Sequence, residues 1–495
     1  MGDESTVLTA ADARHLLRRT GFGAPAKEVA KILQRGDTRG SAADRLLDFK
    51  PGAFQPAGKD LRLRQNSWIK YMIGTKTPLQ EKLVLFWHDH FATAASKVGD
   101  VKLMAAQNRL LRRSCKGSFR TLLQEINRDP AMMEFLDTVR NHRRTPNENY
   151  GRELCELFAL GVKDSNGTPN YLQEDVVQLA RAFTGWRRDK DKPYFDEGDH
   201  DFEDDYPERG PKVVFTQTGG FGAGGRSFAA NGEGAPEIDT VVEILLAHRD
   251  SDGKSTVARR IARRLLEFFA HGAFAESTPT TTAVVDAVIA ESGFDTSWDL
   301  QALLRAILVS DAFYETAAAA PYGASTAKSV KWPVDFVITT MRNLGLKTKG
   351  REAYVDGGSR RSLRSHMSAM GQQLMEPPSV FGWEWEKSWI TSATVLARAR
   401  FARDVIMARG SGGTSFRPEK LLDLKLTAPG AILDAVTDAL GITDQVTSQQ
   451  RTILLDYLTD AGARTSLDLE DEDTRNRKLH GLFGLLLQSP AHQLH

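Results

Sequence analysis

Cysteine and long apolar runs are both scarce in this sequence. Two cysteines, Cys115 and Cys155, stand among 495 residues, which excludes a disulfide framework and a cysteine-rich zinc site and leaves room for one bridge. No apolar run approaches the ~20 residues of a membrane span, and the start, Met1-Gly-Asp-Glu-Ser-Thr, lacks the basic and apolar regions of a secretory signal. The sequence predicts a soluble chain, or the mature form of an exported protein.

An excess of charge of either sign is also missing. The sequence has 65 Lys and Arg residues and 64 Asp and Glu residues, a formal net charge of +1. This charge is too small to attract the phosphate backbone of a nucleic acid over long distances. Nucleic acid is therefore not expected as a partner. Local basic clusters are predicted to be solvated helix faces rather than an anion-binding groove. These are Arg140, Arg143 and Arg144; Arg259, Arg260, Arg263 and Arg264; and Arg360, Arg361 and Arg364.

Several catalytic signatures are absent as well. The sequence has no Gly-x-Ser-x-Gly nucleophile elbow, no His-Glu-x-x-His and no paired-cysteine zinc motif, so neither serine hydrolase nor zincin chemistry is indicated.

Apolar residues at helical spacing dominate what is present. In residues 255–270, Val257, Ile261, Leu265 and Phe268 form one stripe, the pattern of an amphipathic helix on a core. Helix starts are indicated at Ser118, at Asp129-Pro130 and at Thr145-Pro146-Asn147. We expect an all-α, mostly helical fold with a main domain over residues 1–410 and a smaller helical lobe, residues 411–495, packed on it.

The exception to the helical pattern is the segment 188–234, which is rich in Asp, Gly, Pro and aromatic residues. It predicts a long irregular excursion with room for one small β-hairpin near Val213-Val214-Phe215. Its glycines, within 219–225, do not match a phosphate loop because no Gly-Lys-Ser/Thr follows. They are interpreted as flexible turn residues.

The first candidate for chemistry is the sequence FWHDHFAT, residues 86–93. On a helix, His88 and His90 point about 200° apart, so both could bind one metal ion only if the helix frays at its end. The alternative is that one histidine is a satisfied core residue and the other is exposed.

The second candidate is a polar stripe within residues 146–161. Asn149, Arg152, Glu153 and Glu156 fall at i, i+3, i+4 and i+7, which places two carboxylates, a guanidinium and an amide on one helix face among large apolar neighbours. Buried carboxylates must be paired, protonated or metal-bound. The stripe predicts either a catalytic site or an internal salt-bridge network, and it is expected to meet the His88–His90 segment in space.

Two further segments carry candidate groups. His200 and Asp201 lie in the long excursion, where they could supply loop-borne ligands or acid/base groups, or bind nothing. Trp383, Trp385 and Trp389 stand within seven residues and could form the floor of a carbohydrate or aromatic-ligand site, although we expect at least one of them to be core.

The motifs together resemble the bacterial family catalogued as domain of unknown function 1800. The resemblance is carried in order by HLLRRTGFG (15–23), FWHDHFAT (86–93), RDPAM (128–132), PNENYGREL (146–154), FTGW (183–186) and EPPSVFGW (376–383). It implies no settled activity. It does imply an extracytoplasmic role, a link to anionic substrates and a sulfatase-like or phosphatase-like partner encoded nearby. The acidic run after Asp201 departs from the family pattern.

Two functions follow as hypotheses. The first is a hydrolase dependent on a divalent metal ion, with the groups assigned as follows. The metal ligands are His88, Asp89, His90 and His200; the catalytic groups are Glu148, Arg152, Glu153 and Glu156; the substrate contacts are Asn149, Trp383 and Trp385. A bound metal would lower the pKa of its water toward ~7. The second is a non-catalytic binding or structural protein in which the same polar residues form a buried network, with Arg152 paired to Glu148 or Glu156.

Overall fold

The computed structural model describes residues 2–202, 205–228, 234–315, 329–348, 361–408 and 415–495. Across these residues the chain is mostly α-helical, and the strands form only two small antiparallel sheets. The predicted fold class is confirmed.

The helices follow one another with short connections. Before the excursion they are α1 (Ala10–Thr20), α2 (Ala26–Arg35), α3 (Arg39–Leu47), α4 (Leu61–Gly74), α5 (Pro78–His90), α6 (Ala95–Val98), α7 (Val101–Ser114), α8 (Phe119–Asn127), α9 (Pro130–Phe135), α10 (Asn149–Glu153) and α11 (Gln173–Ala182). After it they are α12 (Glu237–Ala247), α13 (Thr256–Phe269), α14 (Pro279–Ser292), α15 (Phe294–Ser297), α16 (Leu300–Val309), α17 (Asp311–Tyr314), α18 (Pro333–Asn343), α19 (Leu363–Ala369), α20 (Ser392–Ile406), α21 (Pro429–Ala439), α22 (Ser448–Thr459), α23 (Glu472–Thr474), α24 (His480–Gln488) and α25 (Pro490–Gln493). Two π-helical turns cover Leu154–Ala159 and Arg475–Leu479.

Two of the three predicted helix starts are confirmed by their caps. Ser118 accepts the backbone N–H of Thr121, and Asp129 accepts that of Met132 with Pro130 in the first turn. The third prediction is wrong, because α10 begins only at Asn149. The side chain of Asn147 accepts the Asn149 N–H at 2.9 Å, an Asx turn that keeps the preceding residues out of the helix.

Helix α13 lies at the centre of the fold. Val257, Ile261 and Leu265 of its predicted stripe are fully buried, and Phe268 is nearly so. The helix packs against α12, α14, α16 and the π-helical turn Leu154–Ala159. Because neighbours cover it on several sides, its polar face also meets protein.

The excursion contains two small sheets where one hairpin was predicted. Strands β1 (Trp186–Asp189) and β2 (Lys192–Phe195) pair antiparallel, with Trp186 opposite Phe195. Strands β3 (Val213–Val214) and β4 (Arg226–Ser227) form the second pair. The glycine-rich segment connects β3 to β4.

Contacts cross the domain boundary predicted near residue 410. Helix α24 packs on α20, and Arg18 of α1 binds the carboxylate of Asp444 through both terminal nitrogens, at 2.8 and 2.6 Å. The division into two lobes stays a prediction. Cys115 and Cys155 are both buried free thiols. Among the described residues, no helix is both long and apolar enough to cross a membrane.

Candidate functional site

The polar face of α13 organises the candidate site. Arg260, Arg264 and Glu267 follow at i, i+4 and i+7, and all three are partly or fully buried. The prediction that the arginines of α13 form a solvated face is therefore wrong. Arg259 is also buried, in ion pairs with three aspartates. Arg140, in contrast, is as exposed as predicted, and Arg360 lies outside the described residues.

The end of α5 packs on this face as an intact helix. Since α5 does not fray before His90, His88 and His90 point to different sides. His88 Nε2 accepts the Met375 N–H at 3.0 Å, and burial lowers the pKa of His88 to about 4. His90 Nε2 donates to the Phe158 carbonyl at 3.1 Å. Burial and the nearby Arg264 and Arg260 hold the pKa of His90 well below its usual value, so both imidazoles are neutral at pH 7.

Between the two histidines, Asp89 is completely buried and accepts three hydrogen bonds. Its donors are the Trp383 N–H at 2.8 Å, the Trp385 indole N–H at 2.9 Å and Arg264 at 3.3 Å. Burial raises the pKa of Asp89 to about 7, against the lowering effect of Arg264 and of both tryptophan donors. Arg264 also pairs with Glu267 at 2.9 Å, and its guanidinium lies 4.1 Å from the centre of the Trp385 ring, a cation–π contact.

Glycine is required at position 382 for this arrangement. Its φ is +82°, and a Cβ there would lie 2.5 Å from Asp89 Oδ1 and 2.7 Å from the Asp89 carbonyl oxygen. Both the left-handed backbone and the close approach exclude a larger side chain. The backbone therefore passes close enough to bring the Trp383 N–H to the carboxylate.

A groove of about 630 Å³ opens beside this network. Its walls include Arg264, Glu267, Phe381, Trp383, Trp385 and Trp389. Trp383 and Trp389 are each only 4 % exposed, which confirms that at least one tryptophan is a core residue, whereas Phe381 is 65 % exposed. The groove thus combines one exposed aromatic ring, buried indoles and a charged pair.

The first of the family motifs, residues 15–23, contacts the C-terminal end of α13 through Arg19. Its guanidinium donates to the carbonyls of Phe268 and Phe269 at 2.6 and 2.7 Å, which caps the C-terminal end of α13 and complements the helix dipole. Lys82 of α5 lies nearby and is paired with Asp335 at 2.9 Å. Three of the segments that carry the family resemblance, near residues 19, 89 and 383, thus meet around one helix.

The predicted catalytic stripe lies on α10 and on the π-helical turn that contacts α13. Arg152 pairs with Glu148 at 2.7 Å, and Glu156 accepts the hydroxyl of Tyr171 at 3.0 Å. Glu153 leaves Oε2 buried without a partner, and burial and Glu156 raise the pKa of Glu153. Asn149 approaches Asp137 at 3.4 Å and is not among the described residues that line the groove.

The His88–His90 segment contacts the chain at Phe158, two residues beyond the end of the predicted stripe, and a contact with the stripe itself stays a prediction. This contact is the hydrogen bond from His90 to Phe158, and Arg260 adds a donation to the Leu157 carbonyl at 3.3 Å. Backbone carbonyls rather than glutamate side chains therefore accept the hydrogen bonds from His90 and Arg260. The π-helical turn, whose hydrogen bonds run i→i+5, covers these residues.

His200 belongs to a different cluster. It is fully buried in the excursion, where Nδ1 donates to the Thr184 carbonyl at 2.8 Å and Nε2 accepts from Lys212 at 3.1 Å. Lys212 pairs with Glu237, and Asp201 pairs with Arg181 at 3.2 Å. The structure does not bring His88, Asp89, His90 and His200 together as four ligands. Within the part of the chain it describes, no group of three or more His, Cys, Asp or Glu side chains is placed to hold a metal ion.

The site residues that the sequence did not reveal are Arg19, Arg264, Glu267, Phe381 and Gly382. One signal for Arg264 and Glu267 was available: their spacing with Arg260 makes a second, polar stripe on a helix whose other face is fully apolar. Nothing in the sequence pattern indicated which neighbours would cover that stripe.

The chain belongs to the family described as a protein of unknown function, DUF1800, whose profile matches residues 15–494. The resemblance seen in the motifs is thereby confirmed over nearly the whole chain. No curated protein and no solved structure matches the sequence.

Proposed function

We propose that this chain is a non-catalytic binding protein whose groove takes a hydroxyl-rich ligand of the carbohydrate class. The observation that carries the proposal is the composition of the groove, where the rings of Phe381 and Trp385 stand beside the carboxylates of Glu267 and Glu384. Its volume of about 630 Å³ falls within the range usual for small-ligand sites.

The chemistry of a sugar matches these groups. A sugar ring has an apolar C–H face, which gains free energy by covering an aromatic surface such as exposed Phe381. Its rim of hydroxyl groups donates hydrogen bonds, and carboxylates are strong acceptors. Glu384 is exposed and makes no ion pair with any residue that the structure describes, so its oxygens are available to such donors.

The charges favour a neutral or amino-bearing saccharide over an anionic substrate. The described charged side chains that line the groove are Arg264, Glu267 and Glu384. The guanidinium of Arg264 is already shared between Asp89 and Glu267. An incoming anion would meet two carboxylates and one neutralised cation.

The pairing of Asp89 and Arg152 supports binding without catalysis. Asp89, whose pKa is strongly raised, is covered on all sides and accepts from three protein donors. Arg152 is paired with Glu148, which is the pairing that the structural hypothesis requires. The metal-dependent hydrolase stays a prediction, and metal analysis is its test.

Tryptophan fluorescence tests the proposal, because three indoles line the groove. Titration of the full chain with a panel of neutral, amino and acidic oligosaccharides is expected to give saturable quenching by the first two classes. Phe381→Ala should weaken that binding about ten- to hundredfold, the loss from no longer burying a phenyl ring. Tyr194→Ala is the matched control, since Tyr194 is 48 % exposed on the β1–β2 hairpin, away from the groove. Equal affinities of the two variants would contradict the groove assignment, as would binding restricted to acidic saccharides.

A further inference from the structure

The glycine-rich connection between β3 and β4 forms the wall of a second cavity. This cavity measures about 580 Å³ and lies between residues 216–223 and the turn 248–253. Gly219, Gly220 and Gly222 all have φ between +72° and +74°. The sequence alone indicates flexible turn residues here. Packing fixes Gly219, because a Cβ there would lie 2.6 Å from the His248 ring, whereas Gly222 has open surroundings.

The loop presents unpaired backbone donors. The Gly219 carbonyl accepts the Arg249 N–H, and the Gly222 carbonyl accepts the Gly225 N–H, both at 3.0 Å. No N–H from residue 216 to residue 224 has an acceptor among the described residues. Successive amides in turns with left-handed residues make concave sites that bind anions.

Arg249 lines the same cavity and has no carboxylate partner among the described residues. Within that part of the chain, its guanidinium donates to the carbonyls of Leu246 and His248, at 3.3 and 3.2 Å. The hydroxyl of Thr218 is buried there without a partner. An anion at this point would therefore gain one full charge and several N–H donors.

The carboxylates of the two aspartates that line the cavity oppose an anion electrostatically, but both are already engaged by other groups of the chain. Asp164 is satisfied by the N–H groups of Asn166, Thr168 and Ser251. Asp250 is 6 % exposed and pairs through Oδ2 with Arg259 at 2.9 Å. Its Oδ1 has no hydrogen-bond partner in the described structure, so it remains able to accept from a ligand hydroxyl.

We propose that this cavity binds a small phosphomonoester that carries hydroxyl groups. The phosphate lies on the amides of the glycine loop and pairs with Arg249, and a hydroxyl of the ligand donates to Asp250. The cavity volume exceeds that of a bare phosphate ion, so the ligand carries an organic part as well. This site is separate from the carbohydrate groove and does not depend on it.

Isothermal titration of the full chain tests the proposal with three probes: glycerol 3-phosphate, inorganic phosphate and glycerol. Glycerol 3-phosphate should bind more tightly than phosphate, and glycerol should not bind. Arg249→Gln should weaken both phosphate compounds about ten- to hundredfold, the effect of losing one charge-assisted bond. Arg400→Gln, on the exposed surface of α20, is the control and should bind like the wild type.

A second variant keeps the test independent of the arginine. Gly222→Ala disturbs the loop through its positive φ without meeting any neighbour, and Gly462→Ala is the matched control, with φ +90° and equally open surroundings. Thermal unfolding of each variant verifies folding. The proposal is overturned if the folded wild type binds neither phosphate compound at millimolar concentration, or if both cavity variants bind like the wild type. It is also overturned if Ca²⁺ binds in preference to phosphate, which would assign the cavity to Asp164 and Asp250.

Discussion

Removal of the Asp89 carboxylate is the sharpest perturbation of the site. The side chain is wholly covered and accepts from the Trp383 N–H, the Trp385 indole and Arg264. Asp89→Ala leaves these donors without their acceptor, whereas Asp89→Asn keeps the shape and one acceptor oxygen. Both variants should therefore destabilise the network, Asp89→Ala more than Asp89→Asn.

The magnitude follows from the number of donors lost. A buried donor without a partner costs about 1–3 kcal/mol, so the Trp383 N–H and the Trp385 indole together account for about 2–6 kcal/mol. Loss of the hydrogen bond from Arg264 adds little to this cost, because Arg264 is partly exposed and still pairs with Glu267. We expect Asp89→Ala to lower the free energy of unfolding by about 3–5 kcal/mol and Asp89→Asn by about half as much.

The effect should depend on pH with a defined sign. Burial raises the pKa of Asp89 to about 7 in the folded chain, whereas the unfolded value is about 3.9. Between these two values the folded chain holds a proton that the unfolded chain has released. The contribution of Asp89 to stability is thus fully present below pH ~4 and is lost as pH rises to ~7, by at most about 1.4 kcal/mol per unit. Asn does not titrate, so the deficit of Asp89→Asn should be larger near pH 5 than near pH 8.

Urea unfolding monitored by tryptophan fluorescence and circular dichroism at both pH values is the assay. Asp473→Asn, at an exposed position in α23, controls for the loss of one negative charge. A loss below about 1 kcal/mol for Asp89→Ala would refute the account of the network. A deficit of Asp89→Asn that is the same at both pH values would refute the raised pKa.

Three further predictions concern Gly382, Glu81 and the metal content of the chain. Gly382→Ala should destabilise the chain by several kcal/mol, because the new Cβ strains a positive φ and meets Asp89; a loss under about 0.5 kcal/mol in urea unfolding would contradict the close approach. Glu81→Gln should cost about 3–5 kcal/mol in the same measurement, since it leaves Arg112 without its buried partner at 2.7 Å, and a near-neutral result would count against that pair. Mass spectrometry of the metal content of protein purified without a His-tag should find less than one bound metal ion per chain, and stoichiometric zinc would instead favour the metal-dependent hydrolase.

The sequence predicts the helices and caps around the site better than it predicts which residues come together there. The apolar stripe of α13 and the caps at Ser118 and Asp129 depend on neighbours within a few residues, and the structure confirms them. A helical wheel shows that Arg264 lies off the stripe, but it does not show that α5 and the segment around Trp383 cover it. The partners of Asp89 are more than 170 residues away in sequence, beyond the reach of any local pattern.

The histidines illustrate the same limit. The rise and turn of a helix fix His88 and His90 on different sides, and only fraying would have joined them at one metal ion. Whether α5 frays depends on tertiary contacts: the Phe158 carbonyl and the Met375 N–H hold the two rings and the intact helix in place. Burial of costly groups in both segments predicts that they lie near each other, but it does not predict that the Phe158 backbone carbonyl accepts the hydrogen bond from His90.

A crystal structure of the chain soaked with its best-binding oligosaccharide shows directly whether the groove binds carbohydrate. We expect a sugar ring against Phe381, with a hydroxyl group within hydrogen-bond distance of Glu267 or Glu384 and with Asp89 still held by Trp383 and Trp385. Sugar density at any other surface with the groove empty, or a sugar bond cleaved in the groove, would contradict the claim of a non-catalytic carbohydrate-binding groove.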